Sequence, residues 1–425
     1  IMTDSITVAI KIPFQPGGGI GGHEHLVKGL VSALSSLNNY NEQYVLVMNR
    51  QYPDWLSKYT GDNIEITTKP PSGSVERIRD MLYPYGEYLK PIARPLLSWS
   101  TQPNVSDADG YYESIGADVV HFITQVPFEH TALPCLYHPH DLQHLHYPEF
   151  FTARERNHRE VHYQTGCTSA DVVPVGSEWV KNDVINQYGI DPEKIYSIPH
   201  GPPTEAYDPV SEDQKKTTRN KFNLSAEYAF YPAQTWPHKN HKRLLEALAK
   251  LRDERGLIVN LICTGKKNEH WSEIKSKINE LGLEDQVSFL GFVSAAELRA
   301  IYELSTFVVL PTLFEGASLV LLEAWQEGCP IACSTATSNP ELAGDGAVLF
   351  DPESTEEMAD AVARMSTDKK LREQIRKAGI ECSEKFSWDR SARLYRAVYR
   401  DLAGCSLTEQ DTKLLKQAQS DQLFE

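Results

Sequence analysis

The hydrophobic pattern of the chain alternates between short apolar runs and longer segments with helical periodicity. ITVAIKI (6–12), YVLVMN (44–49), NIEITT (63–68) and ADVVHFI (117–123) are short runs rich in β-branched residues, which is typical of strands. HEHLVKGLVSALSSL (23–37) instead repeats its apolar positions every three or four residues and predicts a helix. Such repeated strand–helix units imply a parallel sheet with crossover helices.

A second cycle of the same pattern follows a polar stretch at 204–225, which is the best candidate for a linker. AFYPAQTW (229–236) predicts a strand and a loop, and NHKRLLEALAKLRDE (240–254) predicts a helix. Further apolar runs continue the alternation at 257–265, 287–294, 298–311, 330–335 and 346–352.

We therefore predict an α/β protein with two Rossmann-like doubly wound domains, residues 1–205 and residues 206–385. Ligands of such sheets bind beyond the carboxyl ends of the strands, so the two domains should face each other across a cleft. Residues 386–425 predict a C-terminal helix (387–404) that could cross back to the first domain. They end in a polar tail for which both a loose helix and disorder stay open.

Composition narrows the class of protein. With 425 residues, 41% hydrophobic and 24% charged, the sequence is typical of a soluble globular protein. No apolar run reaches the ~20 residues that span a bilayer, and the first residues show no basic, cleavable export signal, so we expect a cytoplasmic protein. A formal net charge of −16 argues against a general nucleic-acid binder, although it allows a local basic pocket for one phosphorylated ligand.

The segment from Val75 to Trp99 mixes basic side chains with aromatic and aliphatic ones. It could rest on the inner face of a membrane, which would make the protein peripheral, or fold over an acceptor. A packed surface helix with loops is the simpler interpretation.

The segment PTLFEGASLVLLEAW (311–325) carries the most specific chemistry. Glu315 and Glu323 flank a turn of small residues, and the residues from Ser318 onward are apolar and predict a helix. Free backbone N–H groups at a helix N-terminus suit a phosphate, and small side chains let a ligand approach the backbone. On spacing alone, a capped amphipathic helix with an incidental glutamate explains the pattern equally well.

FEGASLVLLEA, followed by GCPIACS, NPELAG and GAVLFDP, resembles the E-x7-E segment of family 4 retaining glycosyltransferases, which have the twin-Rossmann GT-B fold. Other pieces agree in order, among them GGGIGGHEH, ADVVHF, HDLQHLHYPEFF, IPHG, YPAQTWPHKNH and CTGKK. The resemblance implies that Glu315 contacts hydroxyls of the donor sugar and that Glu323 binds the ribose. It also implies that the backbone amides between them, at Gly316, Ala317, Ser318 and Leu319, hold a diphosphate.

The resemblance also assigns cations and glycines to the donor side. Lys239 of PHKNH and Lys266 of CTGKK are candidate phosphate-binding lysines, and Gly201 of IPHG belongs to the same side. Gly21 and Gly22 of the first glycine loop would approach the donor phosphates and the acceptor. An exposed lysine at a helix start is the alternative for Lys239.

Three further positions bear on the chemistry. His121 ends the strand ADVVH and is implied to lie near the reacting sugar, with a hydrogen-bonded structural histidine as the alternative. His140 and Asp141 are expected on the acceptor side, and we do not expect the histidine-rich stretch around them to bind a metal. Two positions depart from the resembled pattern, since relatives often have arginine where this chain has Ala233 and histidine where it has Ile123.

The resemblance implies a retaining hexosyltransferase that moves a sugar from a nucleotide-diphosphate donor to a hydroxyl of a carbohydrate or glycolipid acceptor, as in glycan or polysaccharide biosynthesis. No metal or other cofactor is expected. Two alternatives stay open: a sugar phosphorylase or other nucleotide-sugar-processing enzyme on the same fold, and a silent nucleotide-sugar-binding subunit. The donor sugar, the base and the oligomeric state are not indicated by the sequence.

Overall fold

A computed structural model describes residues 5–13, 22–37, 41–71, 105–203 and 209–420. Gly21 and the segment from Val75 to Trp99 lie outside these described residues. The strands are β1 (Ile6–Ile12), β2 (Glu42–Met48), β3 (Ile64–Thr68), β4 (Val119–Phe122), β5 (Cys135–Tyr137), β6 (Val173–Val175), β7 (Ile195–Ser197), β8 (Ala229–Pro232), β9 (Leu261–Thr264), β10 (Val287–Phe289), β11 (Phe307–Leu310), β12 (Ile331–Ser334) and β13 (Val348–Phe350).

The α-helices of the same ranges alternate with these strands. They are α1 (Gly22–Ser36), α2 (Tyr111–Ser114), α3 (Gln143–His146), α4 (Ala153–Ser169), α5 (Glu178–Tyr188), α6 (Glu212–Phe222), α7 (His241–Arg255), α8 (Trp271–Glu280), α9 (Ala295–Leu304), α10 (Leu319–Gln326), α11 (Asn339–Ala343), α12 (Thr355–Thr367), α13 (Lys369–Ser383), α14 (Trp388–Leu402) and α15 (Glu409–Gln419).

The first domain is built on a parallel sheet with the strand order β3-β2-β1-β4-β5. The pair β6-β7 extends it through a bridge between Leu136 and Val172. β1 is buried on both faces, as its apolar composition requires of a central strand in a parallel sheet. The strand order reverses between β1 and β4, which is where doubly wound sheets bind ligands.

The second domain repeats this plan with the order β10-β9-β8-β11-β12-β13, again with parallel neighbours. Its core cluster is separate from those of the first domain and runs from Leu224 to Phe386. Order reversal falls between β8 and β11. The predicted α/β class with two Rossmann-like doubly wound sheets is therefore confirmed.

The C-terminal helices belong to the first domain. α14 packs on α1, and α15 packs on α14 and on β7. Trp388, Tyr395, Tyr399 and Leu415 are buried in the same core cluster as β1 and α1. The polar tail, for which both a helix and disorder were open, contains α15 with a Thr408 capping box.

One smaller expectation is revised by the structure. The polar stretch favoured as a linker contains α6, which packs on α9 in the second domain. Its polarity reflects an exposed helix, because only Thr218 of its residues is buried. Among the described residues, no helix has both the length and the apolar character needed to cross a membrane.

Candidate functional site

A cavity of about 1420 Å³ lies between the two domains. Residues that follow the strands line it, including Thr124 after β4, Ala233 after β8 and Gly265 after β9. Both domains thus present the carboxyl ends of their sheets to one space, as the doubly wound topology dictates.

Glu315 and Lys239 form an ion pair on the second-domain wall of this cavity. Lys239 Nζ lies 2.6 Å from Glu315 Oε1, and both side chains are largely buried, with 19% and 14% of their area exposed. Lys239 sits in a short 3₁₀ turn after β8, and Glu315 lies in the loop after β11. The Thr337 and Ser338 hydroxyls both donate to the Glu315 carbonyl, at 2.6 and 3.0 Å, and hold that loop in place.

The N-terminus of α10 opens beside this pair. Helix α10 begins at Leu319, and its N-cap Ser318 makes no side-chain capping bond, so the first amides stay available for a ligand. Gly316 lies against the first domain, where an added Cβ would come within 2.9 Å of the His140 carbonyl oxygen. A side chain at Gly316 would therefore push the two domains apart.

Glu323 lies on the turn of α10 that follows Leu319, and it also lines the cavity. Its Oε2 accepts a 2.6 Å hydrogen bond from the Tyr302 hydroxyl, and only 7% of the residue is exposed. Burial raises the pKa of Glu323 to about 7, against the opposing effect of the Tyr302 hydrogen bond. This carboxyl is therefore poised between its neutral and charged forms near neutral pH.

On the first-domain wall of the cavity, His140 and Asp141 lie against Gly316 in the loop that carries Glu315, and Gly22 lies against Leu319 at the start of α10. An added Cβ at Gly22 would lie 3.0 Å from Leu319 Cδ1 at the start of α10. His140 has a positive φ of 66°, an uncommon conformation for a non-glycine residue, and turns the chain toward Gly316. Asp141 accepts hydrogen bonds from Gln125 Nε2 at 3.3 Å and from the Gln143 N–H at 3.1 Å.

A polar cluster occupies another part of the first-domain wall. Lys11 Nζ is 2.9 Å from Glu129 Oε1, while Lys69 Nζ at 3.2 Å and the Tyr112 hydroxyl at 2.9 Å approach Glu129 Oε2. Burial works against ionisation, yet Lys11, Lys69 and Tyr112 hold the pKa of Glu129 below its ordinary value. Such a set of charged groups can bind a polyhydroxylated or charged ligand.

His121 does not line the cavity, and the expectation that it lies near the reacting sugar at the end of its strand is wrong. It is fully buried, its Nδ1 lies 2.8 Å from the Tyr399 hydroxyl, and its ring packs 5.0 Å from that of Tyr395. Burial lowers the pKa of His121 to about 3. Helix α14 covers this histidine, so it fits the structural alternative.

Three other predicted donor residues also lie off the cavity wall. Gly201 is packed under the Trp388 indole, which an added Cβ would overlap. Lys266 is exposed beyond β9 and is not among the lining residues. Ser318 is buried at 1% exposure, and its hydroxyl has no hydrogen-bond partner among the described residues. Its backbone still belongs to the α10 N-terminus.

The two domains touch through the loop that carries Glu315. Phe314 is buried among rings of the first domain, with centroid distances of 5.4 Å to Trp179 and 5.5 Å to His146. Ser177 Oγ donates to the Gly316 carbonyl at 2.7 Å. The Glu341 carboxylate accepts the Trp179 N–H at 3.1 and 3.3 Å, at the start of α5. We call these contacts of Phe314, Ser177 and Glu341 the interdomain latch.

Sequence reasoning missed several residues that the structure brings to the site. His23 lines the cavity with its Nδ1 3.2 Å from Thr124 Oγ1, and Tyr302 is the partner of Glu323. His23 could have been noticed from its place directly after the glycine loop. Tyr302 had no local signal, because its helix is separated from Glu323 by a strand and a loop.

Residues 212–381 match the family profile described as glycosyl transferases group 1. Among curated proteins, D-inositol 3-phosphate glycosyltransferase of Corynebacterium glutamicum is 27% identical over 256 residues, which cover 58% of this chain and 61% of that protein. O-antigen chain mannosyltransferase B of Escherichia coli is 25% identical over 251 residues, covering 59% of this chain and 66% of that protein. The chain thus spans roughly three fifths to two thirds of these relatives.

Solved structures of the same architecture cover nearly the whole chain. Anabaena Alr3699/HepE in complex with UDP and glucose aligns with a TM-score of 0.65 at 18% identity, covering 93% of this chain and 100% of that one. Sucrose-phosphate synthase from Thermosynechococcus elongatus aligns with a TM-score of 0.67 at 18% identity, covering 94% and 100%. At such identities the likeness establishes the fold. The profile match covers the second domain, and the structural likeness over nearly the whole chain shows the GT-B fold.

Proposed function

We propose that the protein is a retaining glycosyltransferase that moves a hexose-type sugar from a nucleotide-diphosphate donor to an acceptor hydroxyl. The observation that carries this proposal is the order of groups along one wall of the cavity. The Glu315–Lys239 pair, the α10 N-terminus and Glu323 follow one another there, in the order in which a donor presents its sugar, its diphosphate and its ribose.

The donor side follows from the chemistry of each group. Backbone N–H groups and the helix dipole favour a diphosphate at the start of α10. Glu323 then accepts hydrogen bonds from the ribose hydroxyls, and Glu315 accepts hydrogen bonds from the sugar hydroxyls. Lys239 binds the phosphate. The Anabaena structure named above contains UDP and glucose, which supports a nucleotide sugar as the class of donor.

The reaction we propose is a front-side displacement in which the leaving phosphate oxygen takes the acceptor proton. Lys239 and the α10 amides stabilise charge that grows on the diphosphate, a fixed electrostatic effect that costs no reorganisation during the reaction. His121 has no part in this scheme because α14 buries it. The acceptor enters along the wall that carries Lys11 and Glu129, and we expect no metal requirement.

The test is a thermal-shift screen of the protein against UDP-glucose, UDP-N-acetylglucosamine and GDP-mannose, followed by hydrolysis and transfer assays with the donor that binds. We expect one donor to stabilise the protein and the anomeric configuration to be kept in the product. Activity should survive EDTA. Absence of binding to every nucleotide sugar would overturn the proposal, and inversion of configuration would overturn its retaining part.

The products of the reaction distinguish a sugar phosphorylase from the proposed glycosyltransferase. With orthophosphate and no nucleotide, a phosphorylase would release sugar 1-phosphate from a glycan, whereas the proposed enzyme releases none. A silent binding subunit would bind the nucleotide sugar but neither hydrolyse nor transfer it across a broad acceptor panel.

A further inference from the structure

The donor wall of the cavity is short of positive charge. We call the second-domain residues that line the cavity the donor wall. Among those that the structure describes, Lys239 is the single lysine or arginine, whereas Glu315 and Glu323 are both acidic. Lys239 is moreover already paired with Glu315. A diphosphate brings about two negative charges, and a helix N-terminus offsets only about half of one.

Arg159 lies on the opposite wall, in helix α4 of the first domain, and lines the same cavity. Its guanidinium carbon is 4.6 Å from the centre of the Phe151 ring and 5.8 Å from that of Tyr163. These ring contacts hold the side chain without neutralising it. In the part of the chain that the structure describes, Arg159 takes part in no ion pair within 4.0 Å.

Nearby carboxylates are engaged elsewhere. Glu155 stands four residues before Arg159, the spacing at which glutamate and arginine normally pair on a helix. Its Oε2 instead accepts the Thr152 N–H and hydroxyl, both at 2.8 Å, in a capping box. Glu160 bonds His144 Nε2 at 3.0 Å and the Tyr188 hydroxyl at 3.3 Å. The charge of Arg159 is therefore directed at the cavity.

The field of Arg159 reaches both walls. Burial is the main cause of the low pKa of His140, and Arg159 lowers it further, as it does for His238. His140 lies against Gly316, and His238 precedes Lys239. Arg159 therefore lines the same cavity as the loop of Glu315 and the turn of Lys239, and its charge acts on histidines next to both.

We infer that Arg159 binds the donor diphosphate from across the cleft and stabilises it as the leaving group. This inference rests on the proposed function. In the transfer step, the bond between the anomeric carbon and the phosphate oxygen breaks and its electron pair stays on that oxygen. The acceptor oxygen forms the new bond to the anomeric carbon, and its proton passes to the leaving phosphate. Arg159 then completes a cationic clamp that Lys239 begins, and the clamp exists only when the two domains face each other.

The main alternative role for Arg159 is to bind an anionic acceptor from the same wall. Charge counting favours the donor: the acceptor wall already holds Lys11 and Lys69 against Glu129, whereas the donor wall has one lysine and two acids. Donor and acceptor roles predict different binding constants, so they can be separated.

The experiment compares Arg159→Gln with Arg156→Gln. Arg156 is exposed on the same helix, does not line the cavity, and loses the same charge. Calorimetry measures the affinity of each variant for UDP and GDP, and for uridine and guanosine as phosphate-free controls. We expect Arg159→Gln to weaken binding of the preferred nucleotide at least tenfold and to leave nucleoside binding unchanged, since a charge-assisted hydrogen bond is lost. Arg156→Gln should match the wild type.

A rescue variant makes the test independent of folding. Ala233 lines the donor wall directly after β8. Adding Ala233→Arg to Arg159→Gln should recover most of the nucleotide affinity and of kcat/KM, because the cation returns from the other side. Unchanged nucleotide affinity with a raised acceptor KM in Arg159→Gln would overturn the inference in favour of an anionic acceptor. Lost affinity that Ala233→Arg does not recover would overturn it in favour of a structural role for Arg159.

Different results would contradict the proposed function and the inference about Arg159. If the wild type binds neither UDP nor GDP, the proposed function fails and this inference with it. If the wild type binds and turns over a nucleotide sugar while Arg159→Gln does so equally well, only the inference about Arg159 fails.

Discussion

Two glutamates on one loop and helix acquire different chemistry from their surroundings. Glu315 is paired with Lys239 and stays available to exchange that cation for a ligand hydroxyl. Glu323 instead accepts a hydrogen bond from the Tyr302 hydroxyl. The raised pKa of Glu323 follows from its burial, so the two glutamates present different hydrogen-bonding surroundings to the cavity.

Removing either member of the Glu315–Lys239 pair should nearly abolish transfer. We expect Glu315→Gln and Lys239→Met each to lower kcat about 10²–10³-fold, the usual cost of losing a group that stabilises transition-state charge. The double variant should be little worse than either single one, because the two groups act as a unit. Lys242→Met, on the exposed side of α7, is the control. Wild-type turnover in either single variant would contradict the assignment.

Glu323→Gln should change the pH dependence of stability. A carboxyl whose pKa is about 7 in the folded state and 4.5 unfolded binds its proton more tightly when folded. Its contribution is therefore complete below pH 4.5 and is lost as pH rises through 7, with a slope of at most about 1.4 kcal/mol per pH unit. Compared with the wild type, Glu323→Gln should gain stability between pH 5 and pH 8 in urea titrations. A parallel pair of curves would show that Glu323 is not buried as described.

At the scale of elements, the interdomain latch joins the loop that carries Glu315, which we call the donor loop, to the first domain. Ser177 is the N-cap of α5 and also holds the Gly316 carbonyl. Glu341 reaches over from α11 to accept an N–H at the start of the same helix, where a carboxylate is favoured. One helix of the first domain thereby positions the amides of α10.

Cutting the latch should affect donor binding more than the fold. Since N-cap contacts contribute about 1 kcal/mol, Glu341→Ala should raise the donor Kd about fivefold with a smaller change in Tm. Calorimetry with the preferred nucleotide sugar and thermal unfolding measure the two effects. Glu353→Ala, exposed elsewhere on the second domain, should behave like the wild type. An unchanged Kd in Glu341→Ala would separate the latch from donor binding.

At the scale of the whole molecule, a buried ionic network fastens the C-terminal helices to the first sheet. Arg396 Nε lies 3.1 Å from Glu42 Oε2 and Arg400 Nη1 lies 2.8 Å from Glu42 Oε1. Arg396 Nη1 also contacts Asp411 Oδ1 at 2.9 Å. Glu42 starts β2, so the network joins the sheet to α14 and α15.

Glu42→Ala should therefore destabilise the first domain by about 3–5 kcal/mol, the usual cost of leaving a buried charge without its partner. Denaturant unfolding followed by tryptophan fluorescence measures the loss. Glu65→Ala on the exposed side of β3 should change little. Equal unfolding midpoints for the two variants would contradict this role for Glu42.

Local patterns were sufficient for the sheets and for the donor loop. The apolar runs that became β1, β8 and β11, and the small residues around Gly316, each carry their signal within a few positions. His121 was misplaced because its partner Tyr399 lies 278 residues further along the chain, and no local pattern reveals what packs over a strand end. Arg159 was missed for a similar reason, since no local pattern shows that the Glu155 carboxylate bonds Thr152 and not Arg159.

The packing of Trp388 has a consequence for synthesis on the ribosome. Its indole sits over Gly29 of α1 and Gly201, and α14 completes the core of the first domain. During translation, the first domain must wait, with part of its apolar surface open, until the residues that directly follow the second domain have emerged. The second domain, whose core ends near Phe386, can finish first. Nascent chains stalled before Trp388 should consequently engage chaperones through their N-terminal half.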